Sequence, residues 1–242
     1  MTQQDHYDPR IDLEAMEDLP NYYRAMMNYF DPYLGGEGIE FGAGWGTVAG
    51  MMEPHFDRLD LVEPANNLAE RLKTRFKHST KVTVITETLE MLSHELPERS
   101  RDVIILVNVL EHIENDGEAI KSFFRILRPG GHLLLFVPAL ACLFSKLDTA
   151  LGHYRRYHLK DLRAQVEGVG FTTTVARYFD LFGVIPWWLI NTLAGKTRLD
   201  PRMVRIYDSW IVPATGTLER ILKPPLGKNI LLVAQRPGSE LP

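Results

Sequence analysis

The chain has 242 residues, of which 45% are apolar and 24% charged, and its net charge is −4. Those proportions belong to an ordinary globular chain of one large domain and exclude a disordered one. A single cysteine, Cys142, excludes a disulfide framework, and the lack of a basic bias argues against a nucleic-acid partner. The start Met1–His6 is polar and does not read as a signal peptide, and no apolar run is long enough to span a bilayer. A cytoplasmic protein is expected.

In chain order, residues 1–20 read as a polar, proline-punctuated arm. Asn21–Leu34 has the spacing of an amphipathic helix, with Tyr22, Tyr23, Met26, Met27 and Phe30 on one side, broken by Gly35-Gly36. Strands are expected at Gly38–Phe41, Leu59–Glu63, Val82–Ile85, Asp102–Val107 and His132–Val137. Helical patterns fall between them at Trp45–Glu53, Leu68–Phe76 and Ala119–Leu127, the last stopped by Arg128-Pro129-Gly130-Gly131. Such alternation, with nearly continuous apolar strands, predicts an α/β fold whose parallel sheet is covered on both faces. After Pro138 come a loop or short helices, a helix at Leu159–Val169 and a strand at Phe171–Tyr178. Residues 179–227 hold three tryptophans and read as a helical insertion before a last strand at Ile230–Ala234. The whole divides as arm and lid helix (1–36), ligand-binding core (37–178), helical cap (179–227) and last strand (228–235).

The chemistry is concentrated at Glu40-Phe41-Gly42-Ala43-Gly44-Trp45-Gly46 and at Val62-Glu63-Pro64. Glycines at every second position after a first strand make a turn that lets a ligand approach the backbone. A dinucleotide fingerprint would be spaced G-x-G-x-x-G; here Thr47 occupies the position of its third glycine. Glu40, two residues before the first glycine, would repel a pyrophosphate and suits a cation. Glu63 at the end of the next strand suits the two hydroxyls of a ribose. The ligand expected is S-adenosylmethionine, which combines a sulfonium, an ammonium and a ribose diol without phosphate.

With Thr86-Glu87-Thr88-Leu89-Glu90, Asn108-Val109-Leu110-Glu111-His112 and Leu127–Gly131, these motifs give the chain a resemblance to the class I S-adenosylmethionine-dependent methyltransferases. Within that class it looks like the group acting on small molecules. The resemblance implies a seven-stranded, mostly parallel Rossmann-like sheet with helices on both faces. It implies cofactor contacts at Glu40, Gly42, Ala43, Gly44, Gly46, Glu63 and Pro64, at Glu87, Thr88 and Leu89 near the adenine, and at Asn108 and Val109 near the methionine part. No metal is expected.

Methyl transfer needs alignment above all, and a base only when the nucleophile starts protonated. His112 and His153 are the candidate bases. Tyr23, Arg155, Arg156, Tyr157 and Trp187 are candidate acceptor contacts, the two arginines as a clamp for phosphate or carboxylate. His158, a poor opening residue for the helix at Leu159, joins them as a suspect. The aromatic stretch Tyr178–Asn191 is read three ways: core, a lid over the acceptor, or a patch for peripheral membrane contact. The acceptor is thus a small molecule or a lipid- or sugar-linked one, modified on oxygen. The competing readings are a non-catalytic cofactor-binding module, an N- or C-methyltransferase, and, against Glu40 and Thr47, a nicotinamide-dependent oxidoreductase.

Overall fold

The computed structural model describes residues 19–198 and 200–238; of the arm expected over residues 1–20, residues 1–18 lie outside them and Pro20 opens the first helix. The elements, in order, are α1 (Pro20–Phe30), β1 (Glu37–Phe41), α2 (Thr47–Met52), β2 (Arg58–Val62), α3 (Asn66–Arg75), β3 (Val82–Ile85), α4 (Leu89–Glu95), β4 (Arg101–Val107), α5 (Asp116–Ile126) and β5 (Leu127–Pro138). Then follow α6 (Lys146–Leu151), α7 (Leu159–Val169), β6 (Thr172–Phe179), α8 (Val184–Trp187), α9 (Pro201–Ile206), α10 (Val212–Ile221) and β7 (Asn229–Gln235). Wider π-helical turns, Trp188–Leu193 and Tyr207–Ile211, continue α8 and join α9 to α10.

The strands form one sheet in the order β3-β2-β1-β4-β5-β7-β6. Pairing is parallel from β3 across to β5, and β7 runs antiparallel between β5 and β6. Strand residues alternate between two cores, as the period of a strand requires. On one face Ile104, Leu106, Leu133 and Leu135 meet Leu92 of α4, Ile120 and Phe123 of α5, and Leu162 and Val166 of α7. On the other, Val103, Ile105, Leu134 and Phe136 meet Met26 and Phe30 of α1, Ala49 and Met52 of α2, and Leu72 of α3. Chain order reverses at β1, which lies between β2 and β4. Such a reversal marks, beyond the carboxyl ends of the strands, the crevice where folds of this kind bind ligands.

Two elements depart from the sequence expectation. α4 was not anticipated, because its seven residues are too few for a clear period; Thr88 starts it by accepting a hydrogen bond from the Met91 N–H (3.3 Å). β5 begins at Leu127 instead of His132, so Arg128–Gly131, which directly follows the end of α5, is already the bulged start of the strand. That stretch has a partner the local sequence does not show: Gly130 donates to the Arg236 carbonyl (2.8 Å) and Arg236 donates back to Gly131 (2.8 Å).

At the amino end of the sheet, Arg101 of β4 reaches across β1 to Asp60 of β2 (2.6 Å), and both side chains are buried. Removing one partner strands the other as a buried charge. Asp60→Ala should therefore cost about 3–5 kcal/mol in urea unfolding, with cofactor binding by the folded fraction retained; a loss under about 1 kcal/mol would mean that water reaches Arg101 freely.

Candidate active site

The glycine turn leaves β1 and is bound to the end of β2: Gly42 and Ala43 both donate to the Val62 carbonyl (2.8 and 3.1 Å). Gly42 has φ +69°, and a β-carbon on it would lie 2.4 Å from a methyl of Val109. Gly44 has φ +54° and, in contrast, faces open space, with nothing within 4 Å of where a β-carbon would be. It is the place where a ligand can lie against bare backbone. Gly46 is required by packing: a side chain there would run into Leu72 and Phe76 of α3 and its following turn. Ala43 is buried beneath the turn, and Pro64 is exposed at its edge.

Two carboxylates lie under this turn. Glu63 is buried and accepts from the Gly44 N–H with one oxygen (2.9 Å) and from the Ala65 N–H with the other (2.9 Å). Each oxygen keeps a second lone pair, which is what two vicinal hydroxyls require. Burial pushes the Glu63 carboxyl above its ordinary range, against the pull of those two N–H groups. Glu40, 2% exposed, has one oxygen with no partner. Burial, with Glu63 adding repulsion, pushes its pKa up to about 8. A buried carboxylate without a partner is costly, and a cationic ligand group would relieve it.

The other expected cofactor residues line the neighbouring strand ends. Asn108 follows β4 in the left-handed region (φ +53°), its N–H donates to the Phe136 carbonyl (2.8 Å), and its side-chain oxygen accepts from the Asn229 amide (3.5 Å). Asn229 in turn accepts from the Tyr22 hydroxyl (2.8 Å), so α1 touches the site through one relay. Val109 fills the space Gly42 leaves. Glu87 is half-buried after β3, the Thr88 hydroxyl is committed to capping α4, and Leu89 is buried in the core.

Beyond β4 the structure gathers a second cluster. His112 and His153 pack edge to face, ring centroids 4.6 Å apart. His153 Nδ1 is 3.0 Å from Asp148, and its Nε2 is 3.9 Å from Glu111. Glu111 is fully buried, neither oxygen has a hydrogen-bond partner, and burial raises its pKa to about 8. His112 has an exposed edge, but the surrounding protein and the facing His153 lower its pKa to about 4. Burial opposes ionisation of Asp148, yet bonds from His153, Arg156 and Ser145 prevail and hold its pKa at about 2. Asp148 is also the acid of a capping box with Ser145 that starts α6. The pattern Ser145-x-x-Asp148 is its sequence signal, one the sequence reading passed over; no local signal couples Asp148 to Arg156.

The expected anion clamp is not assembled. Arg156 is buried, bonded to Asp148 (2.8 Å) and to the Ala139 carbonyl (3.2 Å), and stacked on Trp187 (4.7 Å). Arg155 turns away to Asp116 (3.0 Å) and the Glu114 carbonyl (2.6 Å). Tyr157 is buried, its hydroxyl shared between Asp116 (2.8 Å) and the Leu110 carbonyl (3.1 Å). These three fasten the 153–157 segment to the sheet end, their polar groups all committed to protein partners. Trp187 donates to the Leu143 carbonyl (3.2 Å). Tyr23 packs edge to face on Tyr22 (6.1 Å), and Tyr22 itself belongs to the core beneath, not to a lid. His158 precedes α7 without a capping bond; the Leu159 N–H goes to the Tyr178 hydroxyl instead (3.4 Å).

The cap sits on a buried polar root. Glu219 accepts from the N–H groups of Asp180 (3.0 Å) and Leu181 (2.8 Å), and Asp180 pairs with Lys228 (3.0 Å) and accepts from the Tyr207 hydroxyl. A cavity of about 200 Å³ lies beside this root, between α1 and α10; its lining includes none of the glycine-turn residues.

Comparison with known proteins agrees with this architecture. The family model described as a methyltransferase domain matches residues 16–175. The chain belongs to that family, within the class I S-adenosylmethionine-dependent methyltransferases, whose cofactor is S-adenosylmethionine. It is 33% identical over 109 residues to a Mycolicibacterium smegmatis protein named a probable S-adenosylmethionine-dependent methyltransferase. That match takes in 44% of this chain and 38% of the relative's length. The fold resembles an S-adenosylmethionine-dependent methyltransferase of Archaeoglobus fulgidus, with TM-score 0.60 and 14% identity over 89% of this chain and 94% of that one. It also resembles one of Mesorhizobium loti, with TM-score 0.61 and 16% identity over 88% and 95%.

Two outcomes follow. Glu63→Gln should weaken S-adenosylmethionine binding by about 1–3 kcal/mol by calorimetry; unchanged affinity would remove Glu63 from the site. Glu40 binds its proton more tightly folded than unfolded. Its share of stability is thus complete below its ordinary pKa of 4.5 and lost as pH rises through about 8. Glu40→Gln should flatten the fall in melting temperature of the ligand-free protein over that window, and superimposable pH profiles would refute the burial argument.

Proposed function

We propose that the protein transfers a methyl group from S-adenosylmethionine, by SN2 displacement, to an oxygen of a lipid- or sugar-linked or other small acceptor. The observation that carries the donor half is the pair of buried carboxylates under an open glycine turn. Glu63, with its spare lone pairs, would hold the ribose hydroxyls, and Glu40 would face the ammonium. A pyrophosphate would meet the carboxylate of Glu63 and would oppose any ionisation of Glu40. When bound, S-adenosylmethionine supplies an electrophilic methyl on a positive sulfur. The chain's own part is alignment, which is worth about 7–11 kcal/mol when the reacting groups are well oriented. His112, kept neutral, is a poor match for deprotonating a hydroxyl at neutral pH; its role is to orient an acceptor oxygen. His153, tied to Asp148, holds His112 in place.

The acceptor half rests on the cap. Ile185, Trp188, Leu189, Leu193, Ile206 and Trp210 are all exposed. Beside them are exposed Lys196, Arg198, Arg202, Arg205 and Lys223, whereas Asp180, Asp208 and Glu219 are buried and Asp200 alone among the cap's acids is exposed. Tryptophan with cations suits the interface of an anionic bilayer, where each Lys or Arg contributes about 1 kcal/mol. No described helix is long and apolar enough to cross a membrane. This combination favours an acceptor presented at a membrane surface.

Transfer of label from methyl-labelled S-adenosylmethionine to a lipid extract, but not to its aqueous phase, is the expected result; label confined to the aqueous phase would overturn the lipid-linked reading. The protein should float with vesicles containing phosphatidylglycerol and not with phosphatidylcholine alone. Trp188→Ala with Trp210→Ala should reduce that binding at least about tenfold, with cofactor affinity unchanged.

A further inference from the structure

The Glu111 carboxylate is fully buried and both its oxygens lack a partner. It cannot be explained by the glycine turn, which has its own two carboxylates. What faces it is a pair of histidines: ligand atoms of Glu111, His112 and His153 all lie within 4.8 Å of one another. The side chains around them fix the histidines in the orientation a cation would need. His153 Nδ1 is engaged by Asp148, which leaves Nε2 directed to Glu111 at 3.9 Å. A carboxylate behind a histidine is the usual outer support of a metal ligand, because it sets the tautomer and the ring plane. Asp148 is itself held by Arg156 (2.8 Å) and Ser145 (2.7 Å), so the support is rigid. The backbone at Gly152 lies beside His112 and holds its ring.

We propose that Glu111, His112 and His153 form a binding site for a divalent transition-metal ion of the Zn2+ type. Two imidazoles and one carboxylate are a donor set for Zn2+ and its first-row neighbours. Mg2+ and Ca2+ call for mostly oxygen ligands and are disfavoured. On Zn2+, bonds of about 2.0–2.1 Å put ligand atoms roughly 3.3–3.5 Å apart. The observed 3.9 Å between His153 and Glu111 is therefore within a small side-chain rotation of closure. Three protein ligands leave at least one coordination position open. It would hold water in the free protein and, if the proposed methyl transfer to oxygen is correct, an acceptor oxygen; this last clause rests on that reading, while the site itself does not.

The test uses the full chain with any affinity tag removed and after dialysis against a chelator. Titration with Zn2+ alone should show one equivalent bound, and Co2+ should give the visible spectrum of a four- or five-coordinate site. Glu111→Gln, His112→Ala and His153→Ala should each lower Zn2+ affinity by at least about 100-fold, and Asp148→Asn by about 10–100-fold. A thermal shift with S-adenosylmethionine on every variant reports whether the fold persists. Wild-type protein that responds to S-adenosylmethionine but binds no Zn2+ would overturn the metal site, as would Zn2+ affinity unchanged in the variants. Zn2+ binding without any response to S-adenosylmethionine would leave the metal site standing and sink the donor assignment.

Discussion

The carboxylate of Glu63 joins two loops at the carboxyl end of the sheet. One oxygen holds the N–H of Gly44, in the turn after β1, and the other holds that of Ala65, after β2. Without it the turn would keep its two bonds to the Val62 carbonyl but lose its grip on the bare segment at Gly44. Of the three glycines in the loop, only Gly44 faces open space, since Gly42 meets Val109 and Gly46 meets Leu72 and Phe76. The shape of the crevice thus depends on a charged group that is buried, oriented by main chain alone, and left with unused acceptor capacity.

Polar chemistry divides sharply between the two ends of the sheet. At the amino end the acids are matched: Asp60 with Arg101 and Arg58, Asp102 and Glu37 with Arg128. At the carboxyl end Glu40 and Glu111 are buried with oxygens that have no partner. The first arrangement is what stability favours, since a buried charge is tolerable only when paired. The second lowers the stability of the ligand-free chain and is retained where ligands bind in such sheets. Unmatched carboxylates point to the carboxyl end of the sheet, whereas cavity size points to the cap root, where cavities of about 200 and 540 Å³ lie.

Much of the sheet was legible because apolar strands flanked by glycine and proline signal themselves locally. β3 and α7 fall where the residues say, and α7 stops at Gly170 with φ +115°. The glycine turn and its two acids were legible for the same reason, since their spacing is local. What remained hidden depends on partners far away in sequence. Arg156 reads as an anion clamp until Asp148 and the Ala139 carbonyl are seen to occupy it, and Tyr157 reads as an acceptor contact until Asp116 is seen to take its hydroxyl. Glu111 was legible as part of a motif, but its isolation from every donor was not. The start of β5 was misread because Gly130-Gly131 pairs with Arg236, a hundred residues on.

The antiparallel pairing of β6 with β7 has a consequence for how this fold can change. Phe179 and Asn229 are opposite each other in that ladder, so the segment between them begins and ends at adjacent points. To the rest of the sheet it is equivalent to a hairpin loop, and lengthening such a loop costs little entropy, about 0.6 kcal/mol per doubling. Chain entropy therefore constrains the length of the segment only weakly, and its ties are side-chain ones: Asp208 holds the start of α1 and Val212 packs in the core beneath it. Yet Asn229, its exit residue, touches Asn108 at the crevice. A change at the exit of the cap would therefore be felt at the turn after β4, where the two amides meet.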